Sequence, residues 1–170
     1  MTSVERCELP ELSLLSTYRD TGAYTDCYVT EIGKPVSQAE FVRAFYTTSL
    51  FKIERAILKL VVSKQSTDDE AGLLADSRLD SFAAWNVEAR RDNQILLADF
   101  RGRTRSWLMS TPTSGTESGS TRLYFGSAVV PLRADDAEEP RVSMAFRILL
   151  PFHKLYSRAL LSSAKTLLSQ

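Results

Sequence analysis

From Phe82 onward the chain changes its hydrophobic period to two, and this constrains its fold more than any other feature. Five runs, "FAAWNVEARR", "QILLADF", "RTRSWLMST", "TRLYFGSAVVPL" and "RVSMAFRILL", carry strand-forming residues in alternation, the pattern of a pleated element with two unlike faces. Turn residues separate them: Asp92-Asn93, Gly102, the Ser/Thr/Gly run 113–120 and the acidic "ADDAEE" at 134–139. Connections this short join antiparallel neighbours, because a parallel pair needs a long crossover. The run 113–120 lacks the Gly-Lys-Ser/Thr ending of a phosphate loop, so it reads as a solvated hairpin tip.

Upstream, residues 1–22 are polar and broken by Pro10 and Gly22, which predicts an arm lying on the domain surface. "YTDCYVTEI" (24–32) reads as a strand between Gly22 and Gly33. In "GKPVSQAEFVRAF", Ser37 and Glu40 have the spacing of a capping box, and Val36 can meet Phe41 as a hydrophobic staple. That helix should run to about Thr47. Thr48 or Ser49 can cap a second helix through "LFKIERAILKLVV". There Leu50, Ile53, Ile57, Leu60 and Val61 share a face, and Lys52, Arg55 and Lys59 point away. A short basic amphipathic helix can lie on a membrane, but packing against the domain is the reading adopted.

Residues 63–80 form a polar connector in which Thr67 and Glu70 offer another capping box. One or two helical turns fit there, and so does a mobile flap. In the last run Val142, Met144, Phe146 and Ile148 alternate, which predicts a strand to about Leu149. Pro151 then suits a first helical position. The final helix should reach about Leu168, with Phe152, Leu155, Tyr156, Ala159, Leu160 and Leu167 on its apolar face and Lys154, Arg158 and Lys165 opposite.

The 170 residues include 21 Lys plus Arg and 21 Asp plus Glu, a balance that gives no pull toward nucleic acid or anionic membranes. No stretch has the roughly 18 continuous apolar residues of a spanning helix, and the start lacks the pattern of a secretory signal. Cys7 and Cys27 form no CxxC pair, so a reducing, cytoplasmic location is expected.

The order of strand, two short helices, antiparallel strands and long terminal helix resembles the helix-grip fold of START-like and polyketide-cyclase-like proteins. "EFVRAFYTTSLFKIERAIL", "FAAWNVEAR", "GRTRSW", "LYFGSAVVP" and "LLPFHKLYSRALL" more narrowly resemble a family of bacterial proteins of unknown function. The resemblance implies an α+β helix-grip domain over 23–170, following an arm at 1–22. In it a curved antiparallel sheet of about six strands wraps the long C-terminal helix. It also implies a cavity for an apolar or amphiphilic small molecule. The START-like pattern commonly has seven strands, so one can hide in 1–22 or 63–80.

Hairpins centred on Asp92-Asn93 and Arg101-Gly102 would place Trp85, Val87, Ala89, Leu96, Ala98, Phe100, Arg105, Trp107 and Met109 on one face. That face is the apolar one and should look toward the terminal helix. Candidate ligand contacts are therefore Trp85, Val87, Phe100, Arg105, Trp107 and Met109. Arg105 is the anomaly among them. It can anchor a carboxylate or phosphate at the pocket mouth, or it can snorkel, stack on Trp107 and meet an acidic neighbour. A register error of one residue would put it in solvent instead.

His153, the single histidine, falls at the third position of the expected last helix, where the helix N-terminus disfavours imidazolium. It has no recognisable partners for a metal site and no nucleophile elbow for a catalytic dyad. It reads as a boundary histidine where strand meets helix, and neither metal nor cofactor is expected. The leading functional expectation is a non-enzymatic module that holds a small apolar or amphiphilic molecule. The alternatives are a cyclase- or hydratase-type enzyme using Arg105 with Asp99, Glu88 or His153, and a structural or interaction protein with a filled core.

Overall fold

The computed structural model describes residues 3–53, 55, 66–113, 119–130 and 144–170, with side chains from residue 150 onward in the last stretch. Its helices begin where local chemistry directs. Ser37 Oγ accepts from the Glu40 N–H at 3.2 Å, and Glu40 Oε2 accepts from the Ser37 N–H at 2.8 Å. This reciprocal box opens α2 (Gln38–Thr47), which follows the five-residue α1 (Ser16–Asp20). Thr67 and Glu70 repeat the device, at 3.2 and 2.7 Å, and open α3 (Asp68–Ala75). The Arg90 guanidinium donates to the Leu74 carbonyl at 3.0 Å, satisfying one acceptor that the end of α3 leaves over.

Between α2 and α3, residues 49–53 and 55 are helical, and Thr48 Oγ1 caps them by accepting from the Phe51 N–H at 3.2 Å. The expected face of this helix needs correction. Phe51 is buried and Ile53 is exposed, while the largely covered Arg55 pairs with Asp68 at 2.5 Å. Ile57, Leu60, Val61 and Lys59 lie outside the described residues, as do most of the expected hairpin tip (114–118) and the acidic turn at 134–139.

Among the described residues, seven strands form one open antiparallel sheet in the order β1-β2-β7-β6-β5-β4-β3. They are β1 (Glu5–Arg6), β2 (Tyr24–Ile32), β3 (Ser81–Phe82), β4 (Trp85–Arg91), β5 (Gln94–Asp99), β6 (Thr104–Pro112) and β7 (Thr121–Val129). The expected six strands become seven for local reasons. β1 lies in the arm, and Ala83 at φ 54° breaks "FAAW" into β3 and the start of β4. The strand expected over 141–149 is replaced by helix from Met144. The C-terminal helix α4 (Met144–Leu168) carries Pro151 inside it rather than at its start, and so forgoes one backbone hydrogen bond. Four alternating apolar residues were too short a pattern to separate strand from helix.

The buried seam of α4 is Ser157, Leu160, Leu161 and Ala164, at the i, i+3, i+4, i+7 spacing of a helix face. Phe152 and Leu155, expected inside, are each 67 % exposed. The seam packs with Phe41, Phe45 and Tyr46 of α2 against one sheet face, which presents Tyr28, Ile95, Leu97, Leu108, Leu123 and Phe125.

The opposite face is apolar too. Cys27, Leu96, Trp107, Met109 and Ala128 are covered there by Leu15 of the arm. Both hairpin centres match the expected ones, with Arg91 opposite Gln94 and Ala98 opposite Arg105. The assignment of faces is what fails. Leu96, Trp107 and Met109 look toward the arm, not toward the terminal helix. A bulge at Glu88 shifts the β4–β5 register between Val87 and Ala89, so Trp85 and Val87 join the helix side while Ala89 joins the arm side. No helix among the described residues is long and apolar enough to cross a membrane.

Candidate functional site

Between the inner sheet face and α4 lies a cavity of about 440 Å³, a volume suited to a small organic molecule. Aromatic and aliphatic side chains supply most of its wall, among them Phe45, Phe51, Trp85, Phe125 and Leu160. Phe152 borders it at the surface and stacks on Tyr156, with ring centroids 6.2 Å apart. The polar part of the wall includes Ser106, Ser127, His153 and Ser157, with Thr104 and Arg105.

Strand alternation explains how polar groups reach this wall. On β2 the inward positions run Tyr24, Asp26, Tyr28, and on β7 they run Phe125, Ser127, Val129. Register sets Asp26 directly opposite Ser127. Ser127 Oγ donates to Asp26 Oδ1 at 2.6 Å, and the Ser127 N–H donates to the same oxygen at 3.2 Å. The Tyr24 hydroxyl donates to Asp26 Oδ2 at 3.2 Å. His153, on the turn of α4 before Ser157, brings Nε2 to 2.8 Å from Ser127 Oγ and 3.3 Å from Asp26 Oδ2. The Asp26 side chain is 0 % exposed. Burial alone would raise its carboxyl. Hydrogen bonds from His153 and Ser127, the nearby imidazole charge and Tyr24 outweigh that and hold it below the ordinary aspartate value. Burial, and then the Asp26 charge, push the Tyr24 hydroxyl well up.

Ser, His and Asp invite comparison with a hydrolytic triad, and the geometry differs from one. In a triad the serine proton points to one imidazole nitrogen and the carboxylate holds the other. Here Ser127 and Asp26 both meet Nε2, and the serine proton goes to the carboxylate. Ser127 Oγ then accepts from Nε2–H. The serine is not primed as a nucleophile. No protein family, curated protein or solved structure matches the chain. The chemistry must be read from the side chains themselves.

Two donors on the cavity wall stand out. Ser157 is 1 % exposed, and its hydroxyl has no hydrogen-bond partner among the described residues. The Trp85 indole Nε1 is also buried and unpartnered among them. A buried donor left unmade costs about 1–3 kcal/mol. No cluster of three or more metal-ligating side chains occurs among the described residues.

Of the six residues singled out in the sequence, Trp85 lines the cavity. Val87 packs against the main core. Phe100 is 43 % exposed, under the Arg101 guanidinium. Trp107 and Met109 belong to the arm-side cluster, where the Trp107 indole donates to Gln94 Oε1 at 2.9 Å. Arg105 borders the cavity, but its guanidinium engages the arm side. Its Nε donates to the Tyr18 hydroxyl at 2.7 Å and pairs with Glu88 at 2.6 Å, and the group lies 4.7 Å from the Tyr18 ring centroid. The acidic neighbour is thus as expected, while the stacking partner is Tyr18 rather than Trp107.

His153 sits well inside α4, so the helix-terminus argument about its charge does not apply. Sequence reasoning passed over Asp26, Ser127 and Ser157. One signal for Asp26 was present: a carboxylate between Tyr24 and Tyr28 on one face of a strand.

Proposed function

We propose that the chain is a START-like, helix-grip module that binds one small apolar or amphiphilic molecule without transforming it. The ligand lies between sheet and C-terminal helix with a hydrogen-bond acceptor at its polar end. The observation carrying this reading is the aromatic-walled cavity, two of whose lining residues, Ser157 and Trp85, hold buried donors without partners among the described residues. A carbonyl, ether or carboxylate oxygen would satisfy them, and the aromatic wall would take the apolar remainder. The seven-stranded open sheet with its terminal helix is compatible with the helix-grip arrangement.

An acid–base enzyme on the same site is the second reading, favoured by the contact of the buried Asp26 with His153 of the cavity wall. It is the weaker one, because Ser127 and Asp26 are committed to each other. A filled-core structural protein would have no use for a cavity of about 440 Å³.

The test is titration with an environment-sensitive apolar dye, followed by competition with amphiphiles that carry or lack an acceptor. One dye per chain is expected. Ser157→Ala with Trp85→Phe should weaken acceptor-bearing competitors by about 1–3 kcal/mol, the worth of two neutral hydrogen bonds, and should leave hydrocarbons nearly unchanged. Absence of dye binding would sink the proposal in favour of the filled core. Recovery of a chemically altered competitor would favour the enzyme.

A further inference from the structure

Cys7 and Cys27 stand 20 positions apart in the chain, and the sheet brings them face to face. β1 pairs with β2 in the register Glu5 opposite Val29 and Arg6 opposite Tyr28, which sets Cys7 opposite Cys27. The Cys7 N–H donates to the Cys27 carbonyl at 3.0 Å, so this is a hydrogen-bonded pair. Such pairs hold their Cα atoms about 5.5 Å apart, within the range a disulfide spans. The two sulfurs are 3.1 Å apart, and both are free thiols. A depression of about 630 Å³ beside them is bordered by Arg6, Arg19 and Glu8. It lies on the arm side of the sheet, and the Arg6 guanidinium, beside an Arg19 that is paired with Asp20 at 3.2 Å, suits the approach of an anionic reagent.

The two sulfurs differ in character. Cys7 is half-buried and Cys27 is buried. The side-chain hydrogen bond between Cys7 and Cys27, opposed by burial, holds the Cys7 thiol below its ordinary value. The contact with Cys7, and then burial, push the Cys27 thiol well up. Cys7 is therefore the attacking sulfur and Cys27 the resolving one.

We propose that Cys7 and Cys27 form a thiol–disulfide exchange site for an anionic low-molecular-weight disulfide. The Cys7 thiolate attacks one sulfur of the reagent, forms a mixed disulfide and expels one thiolate. With Cys7 so bonded, the contact that raised the Cys27 thiol is gone. Cys27 loses its proton to solvent, attacks the Cys7 sulfur and expels the second thiolate. The protein thiols lose two electrons and two protons, and the reagent becomes two thiols. The product bond closes a loop containing α1 and Leu15, and so ties the arm to β2. No cavity side chain takes part, so this inference stands apart from the proposed ligand.

The test uses the full chain with glutathione disulfide as probe, quenched by acid and alkylation and read by intact mass. The wild type should lose two hydrogens, keep no adduct and yield a linked peptide joining Cys7 to Cys27. Its thermal midpoint should rise by about 7–13 °C, as expected from closing a loop of this length in a domain of this size, and a dithiol should reverse the rise. Cys27→Ser should trap one glutathione on Cys7, while Cys7→Ser should stay unmodified under native conditions. A wild type that stays reduced or accumulates the mixed disulfide would overturn the proposal. So would a Cys7→Ser variant that reacts as fast as Cys27→Ser.

Discussion

Asp26 shows how one buried carboxylate ties a helix to a sheet. Its oxygens receive Ser127, Tyr24 and His153, from β7, β2 and α4. Removing its charge leaves these donors facing a poorer acceptor in a water-excluded site. Asp26→Asn should therefore destabilise the fold by about 2–3 kcal/mol at neutral pH, within the range for losing hydrogen bonds to a charged group, as read by urea denaturation. The sign of the pH dependence follows from the lowered carboxyl. A depressed folded value stabilises the protein fully above the unfolded aspartate value of about 3.9 and loses that contribution as pH falls through the folded one. Glu40 and Asp68 are lowered as well, so both proteins should weaken in acid. The gap between wild type and Asp26→Asn should close as pH drops below about 4. A gap that stays constant down to the acid limit would mean that Asp26 is not held ionised by its neighbours.

Among the elements, the arm does more than lie on the surface. Gln94 Oε1 accepts from the Leu14 N–H and the Trp107 indole, each at 2.9 Å, and Gln94 Nε2 donates to the Leu12 carbonyl at 3.1 Å. These bonds seat fully buried Leu15 against the sheet. Gly126 makes the seat possible. A Cβ there would stand 2.8 Å from Leu15 Cδ2 and 2.9 Å from the Asp26 carbonyl oxygen, and the latter is backbone that cannot step aside cheaply. Leu15→Ala should cost about 3 kcal/mol, as expected for a large-to-small change in a core, measured from the midpoint and slope of a denaturant titration. A cost below about 1 kcal/mol would show the arm to be only loosely attached, since well-packed leucines lose more.

At the scale of the whole molecule, α2 and α4 cover one face of the sheet and the arm covers the other, and the cavity lies on the helix side. A ligand that binds only the folded chain should stabilise it by about 2.7 kcal/mol at a hundredfold excess over its Kd, raising Tm by about 5–10 °C in a domain of this size. Scanning calorimetry with a dye-displacing amphiphile tests this. Arg105→Met should show the same shift as wild type, because the guanidinium is held by Tyr18 and Glu88 on the far face. A shift lost in Arg105→Met would restore that arginine as the anchor.

What the sequence determined by itself was local. The capping boxes at Ser37 and Thr67, the limits of β2 and the centres of both hairpins involve groups within a few residues of one another, so spacing alone specifies them. Tertiary structure decided the rest. Trp85 lines the cavity only because the bulge separates it from Ala89, and His153 lies well inside a helix rather than at the junction of strand and helix that the sequence suggested. Both faces of β5 and β6 are apolar, so alternation could not say which one the helices cover and which one the arm covers. The one-residue bulge at Glu88 reverses faces within a single strand without any signal in the pattern. Asp26 and Ser127 are 101 positions apart, and they meet only because β2 pairs with β7. Cys7 and Cys27 likewise meet only because a two-residue strand in the arm finds the edge of the sheet. Contacts of that kind are set by how buried surfaces fit together, and no window of sequence contains both partners.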